Sequence, residues 1–276
     1  MSYTYLYNDL QMKSIPRSFL ISIAIIAACL VVYSYWWRTT EIVFVGNILQ
    51  ASALAFCGMK FNEIAFDSLR SKKLFRGWAC IAAGLWFWFL AQLFESYSEM
   101  ILVTGSYGTI ADCFWSLGSL FYFAGIITLL RCFWIENFHL TAGASISLLS
   151  IIGYYAIVLV GVILPHVMDP GRSLPLKFLD FAYPTLDVAT GFSFCLLIFV
   201  ARQKGDRELK LGAQLICVAF FIYSVSDLTW GYFRDVNTLI YRLQDIWFFV
   251  GYCINAIAAI PFAAHSKNRA NELVKL

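Results

Sequence analysis

The chain has 276 residues, of which 61% are hydrophobic and 13% charged, with a formal net charge of +3 and a mean hydropathy of +0.72. A soluble domain of this length could not hide so much apolar surface, so a membrane protein is expected. The basic residues are scattered in short stretches beside apolar runs rather than gathered in one patch, which argues against a nucleic-acid partner.

A helix needs roughly 20 apolar residues to cross about 30 Å of hydrocarbon. Taken in chain order, eight runs meet that requirement: Ser18–Trp37, Ile42–Phe61, Gly77–Ser96, Ile110–Leu130, Leu140–Leu164, Phe181–Ala201, Leu211–Phe233 and Ile246–Ala264. Open strands cannot satisfy their backbone groups in lipid, and the alternating pattern of a barrel is absent. The expected fold is therefore all-α: a polytopic membrane protein of eight transmembrane helices, with 1–276 as a single membrane domain. The first run contains Ile26-Ala27-Ala28-Cys29, which looks like a lipoprotein cleavage box. The apolar stretch continues through Trp36 and Trp37, too long for a signal segment, so an uncleaved first span is expected.

Eight spans place both termini on the same side. With that side cytoplasmic, five of the 20 Lys and Arg residues (Arg38, Arg172, Lys177, Arg234 and Arg242) fall outside and the other fifteen inside. The positive-inside rule thus predicts cytoplasmic N- and C-termini in a plasma (inner) membrane. The eight cysteines form no CxxC pair and lie almost entirely within spans, as small apolar packing residues do. The connections are short, and no soluble domain is expected between the spans. The Ser-rich SISLLS (145–150) reads as a helix-packing face.

The chain resembles itself at an offset of about half its length. GLWFWFLAQLFESY (84–97) aligns with AFFIYSVSDLTWGY (219–232), setting Gln92 against Asp227. ADCFWSLGSLFYFAGI (111–126) aligns with QDIWFFVGYCINAIAA (244–259), setting Asp112 against Asp245 and Gly118 against Gly251. Four spans per half enter the membrane in the same direction, so this 4+4 pattern (halves 1–139 and 140–276) predicts a parallel internal repeat about the membrane normal.

Carboxylates supply the sharpest hint of a site. Followed span by span, Glu95, Asp112, Asp187, Asp227 and Asp245 all fall toward the non-cytoplasmic ends of their helices, with Gln92 alongside. Asp187 and Asp227 are deepest, about 9 Å inside their span ends at 1.5 Å per residue. A lipid-facing carboxylate there is costly, so both are expected to face the bundle interior. With Trp88, Trp115, Tyr183 and Trp230 they predict an acidic, aromatic cup open to the non-cytoplasmic side. Such a cup suits a small cationic or amphipathic ligand, since aromatic faces attract cations. Helix capping and interfacial aromatic belts account for some of the same residues without any ligand.

Other chemistries lack their residues. The three histidines, His139, His166 and His265, read as loop residues beside span ends, no lysine lies mid-span, and no GxSxG, HExxH or P-loop is present. Neither metal nor cofactor is expected.

The segments GLWFWFLAQLFESY, ADCFWSLGSLFYFAGI, YPTLDVATGFSFCLL and SDLTWGYF–QDIWFFVGY resemble the eight-helix bacterial membrane modules found N-terminal to diguanylate cyclase (GGDEF) or histidine kinase domains. The resemblance covers residues 77–264 and rests on Trp- and Asp-bearing helix ends. It implies a sensory or membrane-anchoring input, with Glu95, Asp112, Asp187, Asp227 and Asp245 as its characteristic positions. No output domain is expected here, which departs from the family and calls for a signalling partner in the cytoplasm or membrane. The leading expectation is a non-enzymatic sensory, ligand-binding or adaptor module. The alternatives are a cation- or proton-coupled transporter or channel, and a membrane lipid-modifying enzyme with Asp187 and Asp227 as acid and base.

Overall fold

The structure is a computed structural model that describes residues 40–98, 110–134, 139, 141–233 and 238–274; side chains at 40–44, 230–245 and 269–274 lie outside that description. The first expected span, Ser18–Trp37, lies outside the described residues. Seven helices follow in chain order: α1 (Thr40–Asp67), α2 (Lys72–Tyr97), α3 (Ile110–Phe133), α4 (Ala142–Met168), α5 (Leu174–Gln203), α6 (Arg207–Phe233) and α7 (Thr238–Val274). They cover the other seven expected runs. Six contain stretches long and apolar enough to span a bilayer: Lys72–Tyr97, Ile110–Phe133, Ala142–Met168, Leu174–Gln203, Arg207–Thr229 and Ile246–Asn268. The chain is a multi-pass membrane protein.

Neighbour contacts close a ring of six helices. In it α1 packs on α2, α2 on α3, α3 on α5, α5 on α6, α6 on α7, and α7 back on α1. Helix α4 lies outside the ring, against α5 and α6. Only 17% of its apolar stretch is buried, against 67% for α7. Ile146, Leu149, Ile157 and Val160 are exposed on it, which in water would be untenable and in lipid costs nothing. Its last turns include a π-helical stretch, Leu159–Ile163, just before Pro165. Proline has no N–H to donate to the carbonyl four residues back, and a wider turn accommodates the missing bond.

Aromatic rings fill the ring of helices. Trp88 of α2 stacks on Tyr122 of α3 at 5.4 Å and meets Tyr223 of α6 edge-on at 5.7 Å, and both tyrosine rings pack on Phe220. Asn255 of α7 ties the tyrosines together: Tyr122 OH donates to its Oδ1 at 3.1 Å, and its Nδ2 donates to Tyr223 OH at 2.6 Å. Every polar atom in this plug that could not reach water thus finds a partner across the bundle.

Small residues let the helices approach. A Cβ added at Gly84 would lie 2.7 Å from the Gly118 carbonyl oxygen, and one at Gly125 would lie 2.8 Å from that of Gly77. The α2–α3 pair is therefore joined almost backbone to backbone, the close packing that small residues permit in membranes.

Three expectations about position change. His265 is not a loop residue: it is buried within α7, where Nδ1 faces Asp206 Oδ2 at 2.9 Å, because α7 runs well past the expected span end. His166 likewise belongs to the last turn of α4, with Nδ1 2.8 Å from the Val162 carbonyl oxygen. The serines of 145–150 form no tight packing face, since Ser147 and Ser150 are exposed and their hydroxyls donate to the carbonyls of Gly143 and Ile146 in their own helix.

Replacing Gly84 with Ala is expected to destabilise the protein by about 1–3 kcal/mol through overpacking against α3. Gly143→Ala, with open space around it, is expected to be neutral or slightly stabilising. The thermal unfolding midpoints of the two variants in mild detergent provide the check.

Candidate functional site

The helix connections place all the expected site residues at one end of the bundle, while Arg70, Lys72, Lys73, Arg76, Arg131 and Arg202 lie at the other. At that first end four of the six ring interfaces carry a polar contact. Between α1 and α2, Gln92 Nε2 donates to Asn47 Oδ1 at 2.9 Å, with both residues buried. Between α2 and α3, Trp88 Nε1 donates to the Trp115 carbonyl oxygen at 3.2 Å. Between α3 and α5, Tyr183 OH reaches both Asp112 Oδ1 and the Asp112 carbonyl oxygen at 3.0 Å. Asp112 also sits in the first turn of its helix, where the dipole favours a negative charge.

Between α5 and α6 the link joins two carboxyl groups. The side chains of Asp187 and Asp227 are within hydrogen-bonding reach of one another. Such a bond needs a proton on one of the two, because two adjacent carboxylates away from water repel each other. Glu95, Asp227 and Asp187 all lie within electrostatic reach of Tyr252, and Asp227 is also within reach of Tyr183. The acidic groups therefore converge on the inner side of the bundle.

Among the described residues, they do not line one open cup. Trp88, 3% exposed, and Gln92, 2% exposed, belong to the packed interior. Asp112 and Tyr183 are engaged with each other, while Trp115 and Glu95 are half-buried. The side chains of Asp245 and Trp230 lie outside the described residues. The reason is steric: large aromatic residues meet at the ring centre and fill the space that a cup would need.

The cavity that does reach these residues is lateral. It lies between α4, α5 and α6, with a volume of about 250 Å³. Ile151, Val188, Phe192 and Phe220 give it apolar walls, and Ser150, Tyr154, Ser224 and Cys217 add the few polar atoms. Asp187 stands in its wall, 5% exposed, and its Oδ2 has no hydrogen-bond partner. Thr190, one turn along α5, is buried with its hydroxyl likewise unpartnered. A buried acceptor without a donor costs on the order of 1–3 kcal/mol, more when charged. That cost is relieved when a donor enters the cavity.

Asn47 was absent from the expected site. Its signal was present as two amide side chains, Asn47 and Gln50, three residues apart in an otherwise apolar run; both are buried. The cavity residues of α4 had no comparable signal, because a tyrosine and a serine in an apolar helix read as ordinary packing. Among the described residues, no group of three His, Cys, Asp or Glu side chains could hold a metal ion.

Comparison with known proteins found no matching family model, no matching curated protein and no matching solved structure. The functional reading rests on the geometry alone.

Replacing Gln92 with Leu removes the buried donor to Asn47 Oδ1 and is expected to cost about 1–3 kcal/mol, whereas the double variant Asn47→Leu/Gln92→Leu is expected to recover part of that loss. Chemical or thermal unfolding of the three proteins in detergent measures both effects.

Proposed function

We propose that this protein is a non-enzymatic ligand-binding module of the membrane, sensory or adaptor in role, and that its site is the lateral cavity with Asp187 in its wall and Asp227 beside Asp187. The observation that carries this reading is Asp187, which lines the cavity and whose buried Oδ2 has no hydrogen-bond partner. Protein interiors pair their buried polar atoms, and an exception beside a cavity is the position a ligand would complete. The basic end of the bundle faces the cytoplasm, in keeping with the positive-inside rule, and the membrane is the plasma membrane. A signalling output would then come from a partner engaging the basic end.

The proposal includes an ancient duplication. Its support lies in matched contacts in the two halves. Gly118 of α3 is approached by Trp88 of α2, and Gly251 of α7 by Tyr223 of α6. Gly77 of α2 is approached by Leu129 of α3, and Gly212 of α6 by Phe262 of α7. A half-turn about the ring axis carries α1, α2 and α3 onto α5, α6 and α7. The carboxamide pair Asn47–Gln92 then falls opposite the carboxyl pair Asp187–Asp227. One half keeps a neutral, self-satisfied link, and the other keeps an acidic one that opens on the cavity.

A second reading, proton-coupled transport, draws on the proton that the carboxyl pair must share. The aromatic plug fills the ring centre, so any path would have to run through the lateral cavity.

Native mass spectrometry of the protein gently extracted from its membrane tests the first reading. A bound small molecule is expected on the wild type and absent from an Asp187→Asn/Asp227→Asn variant. A wild type that carries no adduct and whose cavity takes up no added probe would overturn it. Proton-dependent uptake into liposomes, lost in Asp227→Asn, would instead establish the second reading.

A further inference from the structure

The lateral cavity is specific enough to indicate what kind of molecule it takes. It is small: at roughly 30 Å³ per water-sized group, about 250 Å³ holds on the order of eight non-hydrogen atoms. Its mouth opens on the flank of the bundle, where Ser150 and Phe221 are exposed among the exposed apolar side chains of Leu149 and Val218. In a bilayer that flank meets acyl chains, so an occupant arrives sideways from the lipid.

The interior sorts occupants by charge and hydrogen bonding. The one strong group is Asp187 Oδ2, an acceptor with nothing to accept from. Its partner Asp227 supplies the neighbouring carboxyl, so the pair carries at least one negative charge when a single proton is shared. The aromatic faces of Tyr154, Phe192 and Phe220 flank the space; such faces attract cations and are indifferent or adverse to anions. The Tyr154 hydroxyl is held only loosely, 3.4 Å from Ser224 Oγ, and each oxygen can accept a further hydrogen. One carboxylate, two adaptable hydroxyls and aromatic walls match a group with several donors and one positive charge.

We infer that the cavity binds a protonated primary amine carried on an apolar stem, with the ammonium at Asp187 and the stem leading out between α4, α5 and α6 into the bilayer. The inference deepens the binding role proposed above and rests on it. Fatty acids and phosphate-bearing headgroups are disfavoured by the carboxyl pair. An alkanol could donate one hydrogen bond but leaves the charge unmatched.

The test uses the full chain in nanodiscs of phosphatidylcholine, with empty nanodiscs subtracted, and radiolabelled dodecylamine as the probe. Saturable binding at one site per chain is expected, with 1-dodecanol at least tenfold weaker as a competitor. Asp187→Asn, which keeps the shape and removes the charge, is expected to weaken dodecylamine at least tenfold. Ser150→Trp plugs the mouth from the exposed, loosely packed α4 and is expected to abolish binding without disturbing the ring. Glu63→Gln, on the exposed surface at the far end, is expected to change nothing. If dodecanol competes as well as dodecylamine, or if Asp187→Asn binds normally while Ser150→Trp blocks, the amine assignment fails and the cavity remains a binding site. If binding is not saturable, or survives Ser150→Trp, the cavity itself is not the site and both readings fall.

Discussion

A polar group held in hydrocarbon must find its partner within the protein, because no water is there to serve it. Nearly everything distinctive about this bundle follows from how that demand is met. Asn47 turns to Gln92, Tyr183 to Asp112, and Tyr122 and Tyr223 to Asn255. Each of these bonds joins two different helices. The polar side chains thereby act as registration points, fixing which helices are neighbours and at what height. Individually such links are worth about a kilocalorie per mole, but leaving one half-made costs more than making it gains. That asymmetry is what selects one packing among many similar arrangements of apolar helices.

Close backbone approach supplies the second constraint. Gly77, Gly84, Gly118 and Gly125 bring α2 and α3 nearly into contact, and dispersion between well-matched surfaces replaces the hydrophobic drive that lipid does not provide. Large rings then occupy the remaining centre. Trp88 stands at the hub, touching Tyr122, Phe220, Tyr223 and Tyr252. Among the described residues the bundle centre is filled, and the cavity that Asp187 lines lies at the side. Helix α4, outside the ring and largely exposed, forms the loose wall of that cavity.

Against these paired side chains, Asp187 stands out, with Thr190 and His265, for a buried polar atom that has no partner. It stands in the cavity wall beside Asp227, and its buried Oδ2 has no hydrogen-bond partner. In the proposed repeat the matching position of the other half carries amides, with Gln92 donating to Asn47. The difference between a carboxamide pair and a carboxyl pair is chemically large. Amides donate and accept, so two of them close on themselves; carboxyl groups mostly accept, so two of them leave a surplus acceptor and a charge. Under the proposed duplication, one closed pair and one open pair would be a simple route to a single binding site.

Much of the architecture was legible in the chain itself. The lengths of the apolar runs determined helices, since bilayer thickness and backbone hydrogen bonding leave no other option, and six described helices are long and apolar enough to cross a bilayer. Seven of the eight runs correspond to described helices, and the run 18–37 lies outside the described residues. Helix direction placed Glu95, Asp112, Asp187 and Asp227 at one end, because direction depends only on counting spans. Only the tertiary structure decided which residues share a pocket. Helical periodicity says which face of a helix a side chain occupies but not which neighbour meets that face. It therefore could not tell that Trp88 would plug the centre, that Tyr183 would be taken by Asp112, or that α4 would stand outside the ring and form the cavity with α5 and α6. Those choices depend on how large and small side chains interlock among several helices at once, and that information is spread over residues far apart in the chain.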